Sequence, residues 1–317
     1  MECDFPMATQ HAEHDIVVEG LTKRFGSLEA VKDVSFAVRR GEVFGILGPN
    51  GAGKTTALEC IEGLQEPTAG KTRVLGIDTA AEPWKAKERI GVQLQASAYF
   101  DYLKLREILE LFGRLYAKRL SPAELLEKVG LAEKIETPVV KLSGGQQHRF
   151  AIAAALVNDP EVIFLDEPTT GLDPQARRNL WEFIQRIHGE GRTVVLTTHY
   201  MEEAQFLCQR VAIMDRGRIV ALDTPERLIK GLPVPYKVRI KLAEAQPPEL
   251  FKGLEAVMNV QAEADGALTL ASSDAARTLP ALMAWSNANG RRIDHLEVVR
   301  GNLEDVFLTI TGRGLRD

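Results

Sequence analysis

Three short stretches carry side chains that could do chemistry together. Gly48 to Thr55 reads GPNGAGKT and fills the pattern G-x-x-x-x-G-K-[ST]. In such a loop the glycines turn several backbone N–H groups inward on phosphate oxygens, and the helix that follows adds its positive end. Gly48, Asn50, Gly51 and Gly53 shape the loop here. Lys54 is expected to reach the β- and γ-phosphates of ATP and Thr55 to hold magnesium, with Thr56 beside it. The second stretch is IFLDEP, Ile163 to Pro168, an apolar run that delivers Asp166 and Glu167 to the carboxyl end of a buried strand, where ligands of parallel sheets sit. Asp166 can support the magnesium directly or through a water. Glu167 can orient or deprotonate a water in line with the γ-phosphate. The third is LSGGQQHRF, Leu142 to Phe150. Ser143 can cap a helix, and Gly144 and Gly145 clear its first turn for a large anion. One nucleotide already has the first loop, so this second helix end is expected to face the same nucleotide from a partner subunit.

Those residues need strands and helices to hold them. VFGIL before the first loop reads as a buried strand and TALECIEGL after it as a helix. EVIFLDEP and RTVVLTTH read as buried strands, and RVAIMDRGRIVALD as strand, tight turn and strand. Leu105, Ile108, Leu109, Phe112, Leu115 and Tyr116 lie on one helical stripe. A second helix starts at Ser121-Pro122. The chain therefore divides into a floppy leader over 1–14, a nucleotide-binding α/β domain over 15–230 with a helical segment at about 96–155, and an accessory α/β domain over 235–317, the boundary falling in GLPVP, Gly231 to Pro235. The accessory domain reads strand, short helix (PPELFKGL), two strands around Asp265-Gly266, helix, strand, the order of a small ferredoxin-like module, with a tail helix capped by Asn302.

Bulk properties bound the rest. The 317 residues carry a formal net charge of -5 with 26% charged residues, which disfavours sequence-independent nucleic-acid binding. No run approaches the roughly 18 apolar residues of a membrane span, and the first residues lack a basic start and an apolar stretch. Three scattered cysteines, Cys3, Cys60 and Cys208, fit a reducing compartment and show no metal spacing.

LSGGQ, preceded by GPNGAGKT and followed by VIFLDEPTTGLDP, resembles the ATP-binding subunit of an ATP-binding-cassette (ABC) transporter over about Asp15 to Leu228. The resemblance implies a P-loop fold with a helical subdomain, ATP and Mg2+ as ligands, and a head-to-tail homodimer in which each ATP lies between one phosphate loop and the partner's Ser143, Gly144, Gly145 and Gln146. It implies that Phe25 stacks on adenine. Gln95, rather than its neighbour Gln93, reaches magnesium and the attacking water; Asp173 signals across the dimer; His199 contacts the γ-phosphate. His148 and Phe150 depart from the residues commoner at their positions. The segment from 96 to 155 then grips a separate membrane permease, with Tyr99, Phe100 and Tyr102 forming either its socket or the core of the helical subdomain. The tail NLEDVFLTITGRGLRD resembles that of exporter cassettes for drugs, antibiotics or polysaccharides, which places the chain peripherally on the cytoplasmic face of the membrane. The alternative is a non-transport cassette ATPase of the translation or DNA-repair type. The single set of motifs and the absence of sustained heptads count against it.

Overall fold

The computed structural model describes residues 13–94 and 99–312. Gln95 lies outside the described residues, as do Ala96, Cys3 and most of the expected leader.

The first half runs β1 (His14–Phe25), β2 (Leu28–Arg39), β3 (Val43–Leu47), α1 (Lys54–Ile61), β4 (Ala69–Val74), β5 (Ile77–Asp78), α2 (Pro83–Lys87), β6 (Ile90–Gln93), α3 (Leu105–Gly113), α4 (Pro122–Lys128) and α5 (Gly144–Ala155). Then come β7 (Val162–Asp166), α6 (Pro174–Gly189), β8 (Thr193–Thr198), α7 (Met201–Leu207), β9 (Arg210–Asp215), β10 (Arg218–Asp223) and α8 (Pro225–Lys230). The rest is β11 (Tyr236–Leu242), β12 (Val257–Ala262), β13 (Leu268–Ser272), α9 (Ala275–Ala288), β14 (Ile293–Arg300) and α10 (Leu303–Thr311). β1 begins within the expected 1–14 segment, His14 pairing with Arg39 of β2.

The chain forms two compact units, the first ending at Thr224 and the second beginning at Pro225. The expected break at Gly231 to Pro235 is thus displaced. Its residues are tied into the second unit: α8 packs on α10, Leu232 is buried, and the Pro235 carbonyl accepts from Gly301 N–H at 2.8 Å.

In the first unit a six-stranded sheet has the order β10-β9-β3-β8-β7-β6. All its pairings are parallel except the β9–β10 hairpin. Every residue of β3, β7 and β8 is buried, as in a sheet covered on both faces; β3 is an apolar run, β7 one that ends in Asp166, and β8 carries threonines at both ends. A four-stranded antiparallel sheet, β2-β1-β4-β5, shares a core with α1 and the large sheet that includes Leu21, Phe36, Phe44, Leu58 and Phe164. Between β6 and β7 the described residues are helical or in turns, α3 to α5 with 3-10 turns at Ala132–Lys134 and Val139–Lys141. The helical stripe stops at Gly113, and Leu115 beyond it is exposed. Tyr99 packs edge-on to Phe150 at 5.2 Å and near Phe112 at 6.1 Å, while Phe100 and Tyr102 are exposed. The three aromatics therefore divide between the two readings, one in the helical core and two on its surface.

In the second unit four antiparallel strands lie in the order β12-β13-β11-β14, that of a split β-α-β module. Val238, Ile240 and Leu242 of β11 join Phe251, Leu270 and Leu282 of α9 in a core of their own. The expected short helix is a single 3-10 turn at Pro248–Phe251. Leu303, Val306 and Phe307 of α10 are buried, but Ile310 is 45% exposed.

Candidate nucleotide site

The phosphate loop joins β3 to α1, and two of its glycines are there for want of space. A Cβ on Gly48 would stand 2.3 Å from the Met214 carbonyl oxygen. Gly53 has φ 98°, and a Cβ on it would stand 2.4 Å from the Ala30 oxygen, so only glycine fits. Gly53 is also the N-cap of α1 and has no side chain to cap with. The first N–H groups of α1 are therefore free of side-chain acceptors, as an anion site requires. Ala30 lies two residues beyond Leu28, which pairs with Phe25 at the β1–β2 turn. Phe25 stands at that turn, 45% exposed, with the Lys23 ammonium 5.0 Å from its ring centroid.

Three strand ends meet at the loop. Lys54 Nζ donates to the carbonyls of Gly48 (2.9 Å) and Pro49 (3.1 Å) and lies 3.3 Å from Glu167 Oε1. Burial pushes the Lys54 ammonium below its usual range, and Glu167 and Asp166 oppose that push. Thr55 Oγ1 donates to Asp166 Oδ1 at 3.3 Å. This carboxylate, raised by burial against the pull of Thr197 and Thr55 hydroxyls, shares with Thr55 a pair of hard oxygen donors suited to magnesium. Glu167 sits at φ 47°, a left-handed conformation uncommon outside glycine. Burial alone would raise its carboxyl, but Lys54, His199 and Thr170 hold it below the usual range. His199 Nδ1 is 3.2 Å from Glu167 Oε2, and the Thr170 hydroxyl donates to the same oxygen at 3.0 Å. The structure thus gathers Lys54, Thr55, Asp166, Glu167 and His199.

Ser143 and its glycines form a separate helix end. Ser143 caps α5: its Oγ accepts from Gln146 N–H at 3.4 Å, and Gln146 Oε1 accepts from Ser143 N–H at 3.0 Å. The Ser143 hydroxyl proton stays available to donate. A Cβ on Gly144 would meet nothing within 4 Å, and one on Gly145 would touch only Ala176 Cβ at 3.4 Å. Nothing within the chain demands glycine at 144. Ala176 belongs to the first turn of α6, whose N-cap is Asp173, with Oδ1 accepting from Ala176 N–H at 2.9 Å. His148 is spent on its own helix, Nδ1 lying 3.0 Å from the Gly144 oxygen. Phe150 is core.

Thr197 escaped the sequence reading. Its hydroxyl bonds Asp166 Oδ1 and also accepts from Glu167 N–H at 3.0 Å. It fastens both acids to β8. The only sequence signal was the pair of threonines before His199.

Comparison with known proteins identifies the family. The chain is 38% identical over 310 residues to the Nod factor export ATP-binding protein I of Ralstonia nicotianae, covering 95% of this chain and 94% of that protein. The chain belongs to the ABC transporter family. Residues 31–170 match the family's own model, described as ABC transporter. A daunorubicin resistance ATP-binding protein of Streptomyces coeruleorubidus is 38% identical over 303 residues, covering 93% of this chain and 94% of that one. A solved dimeric ATP-binding cassette in a post-hydrolysis state, bound to ADP and Pi, is 28% identical with a TM-score of 0.60, covering 66% of this chain and 98% of that one. This ABC cassette is therefore an ATP-binding and ATP-hydrolysing subunit. No described helix is long and apolar enough to cross a membrane.

Proposed function

We propose that this ABC ATPase drives export through a separate membrane permease, bound peripherally at the cytoplasmic face as a head-to-tail homodimer, with Mg2+ beside each ATP. The relatives named for Nod factor export and for daunorubicin and linearmycin resistance support a drug-, lipid- or polysaccharide-like cargo. Phe25 stacks on adenine. Gly48 to Thr56 hold the phosphates, with Asn50, Gly51 and Gly53 offering backbone N–H groups and Lys54 its charge. Thr55 and Asp166 would hold magnesium, and Gln95 joins them. A bound magnesium ion supplies positive charge to phosphoryl oxygens as they gain negative charge. Glu167 takes a proton from the water that attacks the γ-phosphorus; the new O–P bond forms as the bond to the β-phosphate oxygen breaks, and ADP leaves with that electron pair. His199 fixes the γ-phosphate, and the partner's Ser143, Gly144, Gly145 and Gln146 close over it while Asp173 carries the signal between sites.

The observation that carries the reading is the Glu167 carboxylate, held ionised between Lys54 at 3.3 Å and His199 at 3.2 Å. Such a group is ready to accept a proton at neutral pH. Glu167→Gln should keep ATP binding and lower steady-state phosphate release by roughly 10²-fold or more. Release within twofold of the wild type would remove the general-base assignment.

A further inference from the structure

Just beyond His199 lies a cluster that the site does not use. α6 presents Arg177 and Trp181, four residues apart and therefore on one face, to the start of α7. The Arg177 guanidinium carbon is 4.2 Å from the centroid of the Tyr200 ring. On the imidazole side, the Tyr200 ring centroid is 4.1 Å from that of His199, the planes inclined by 39°. Trp181 Nε1 donates to Glu203 Oε1 at 3.0 Å, and Glu203 is fully buried. Burial pushes the Glu203 carboxyl above its usual range, opposed by the hydroxyls of Thr198 and Thr169, the Trp181 indole and the Arg177 charge. Trp181 stacks in turn on Phe206 at 5.1 Å. Tyr200 is the N-cap of α7 and supplies no side-chain cap; its N–H donates to Thr198 Oγ1 at 2.9 Å. The ring is thus committed to a stack rather than to its own helix.

We infer that Tyr200, held by Arg177, is the positioning residue that sets the His199 imidazole against Glu167. A histidine at a strand end has two χ angles to fix, and its Nδ1 lies 3.2 Å from the carboxylate it must serve. A ring at 4.1 Å restricts the imidazole's tilt, and the guanidinium 4.2 Å from that ring's centroid holds it in turn. Trp181 and Glu203 fasten α6 to α7, so neither layer of the stack can slide. Arg177 follows Asp173 by one turn, its N–H donating to the Asp173 oxygen at 2.9 Å. A shift of the α6 start would therefore reach His199 through the Arg177 guanidinium and the Tyr200 ring.

The inference rests on the role of His199 proposed above, and the test separates the two. Single-turnover phosphate release from MgATP is measured on the full chain for wild type, Tyr200→Ala, His199→Ala and the double variant, with ATP affinity and thermal melts alongside. Tyr200→Ala should lower the rate about tenfold with ATP affinity within twofold, and it should cause no further loss in the His199→Ala background. Tyr200→Phe, which keeps the ring, should stay within twofold of wild type. Arg177→Met should fall between the two, again only where His199 is present. Losses that multiply in the His199→Ala background would overturn the positioning role, as would an equal loss in Tyr200→Phe. A His199→Ala rate equal to wild type would remove the site reading itself, and this inference with it.

Discussion

In the first unit, Lys54 at the start of α1 and Asp166 and Glu167 at the end of β7 have 4%, 3% and 7% of their surfaces exposed. The second unit arranges its charges differently. Along β11 the residues Val238, Ile240 and Leu242 point into the core, while Lys237, Arg239 and Lys241 alternate onto the other face. There Arg239 lies 2.8 Å from both Glu263 and Asp265, and Lys237 lies 3.0 Å from Asp305. Both regions are rich in ion pairs. Only the first takes charges out of water, which costs stability unless every partner is in place. That cost is the mark of a site. The second region is a solvated sheet face whose pairs contribute little to folding.

The sharpest way to break this comparison is to delete the buried cation. Lys54→Ala removes the charge that both carbonyl oxygens and Glu167 now hold, and ATP affinity should fall roughly 10–100-fold. Fluorescence titration with a nucleotide analogue measures it. An unchanged affinity would mean that the burial at Lys54 is structural.

A second buried acid sharpens the contrast within the first unit. Glu62 ends α1, is 1% exposed, and neither carboxylate oxygen has a hydrogen-bond partner among the described residues. Burial, with Asp166 and Glu59 adding to it, pushes its carboxyl up to about 8. The folded chain therefore holds this proton more tightly than the unfolded chain. Folding stability from this group falls as pH rises from about 4.5 to 8 and is level above that. Glu62→Gln should stabilise the chain by up to about 3 kcal/mol at pH 7 and by little at pH 5. Thermal melts at the two pH values check the sign: a gap between variant and wild type that shrinks with rising pH would contradict it.

At the small end, Arg239→Ala should leave both ATP hydrolysis and melting temperature close to wild type, because its partners remain hydrated. Paired phosphate-release and melting measurements test this. A large loss of hydrolysis would give the second unit's sheet face a part in the nucleotide cycle.

How much of this was legible in the sequence follows from how local each signal is. The phosphate loop and the acids of β7 were legible because all their residues are consecutive and flanked by apolar strands. Ser143 was legible as a cap for the same reason. Thr197 was not, since its partners Asp166 and Glu167 lie on the neighbouring strand, and pairing between β7 and β8 cannot be read from either alone. Arg177, Trp181 and Glu203 were hidden likewise, a charged and an aromatic side chain on a helix being ordinary until α7 is seen against them. Glu62 sat in an apolar helical run, CIEGL, where periodicity gives no hint that the acid faces inward. The domain boundary was misplaced because GLPVP has the composition of a linker, while its burial depends on α10, some seventy residues later in the chain. Where composition and tertiary packing disagree, packing decides.

The proposed homodimer places each nucleotide between two chains, at the phosphate loop of one and the α5 terminus of the other. Mixing two inactive variants tests it most directly. Lys54→Ala spoils a chain's own loop, and Ser143→Arg blocks what it offers its partner. In the mixed dimer both lesions fall on one site, leaving the other site intact. Phosphate release should recover on mixing, above either parent alone, and rise with the fraction of mixed dimer, measured by capture through a tag carried on one variant. No recovery, with mixed dimers present and the specific activity of the wild type independent of protein concentration, would contradict it.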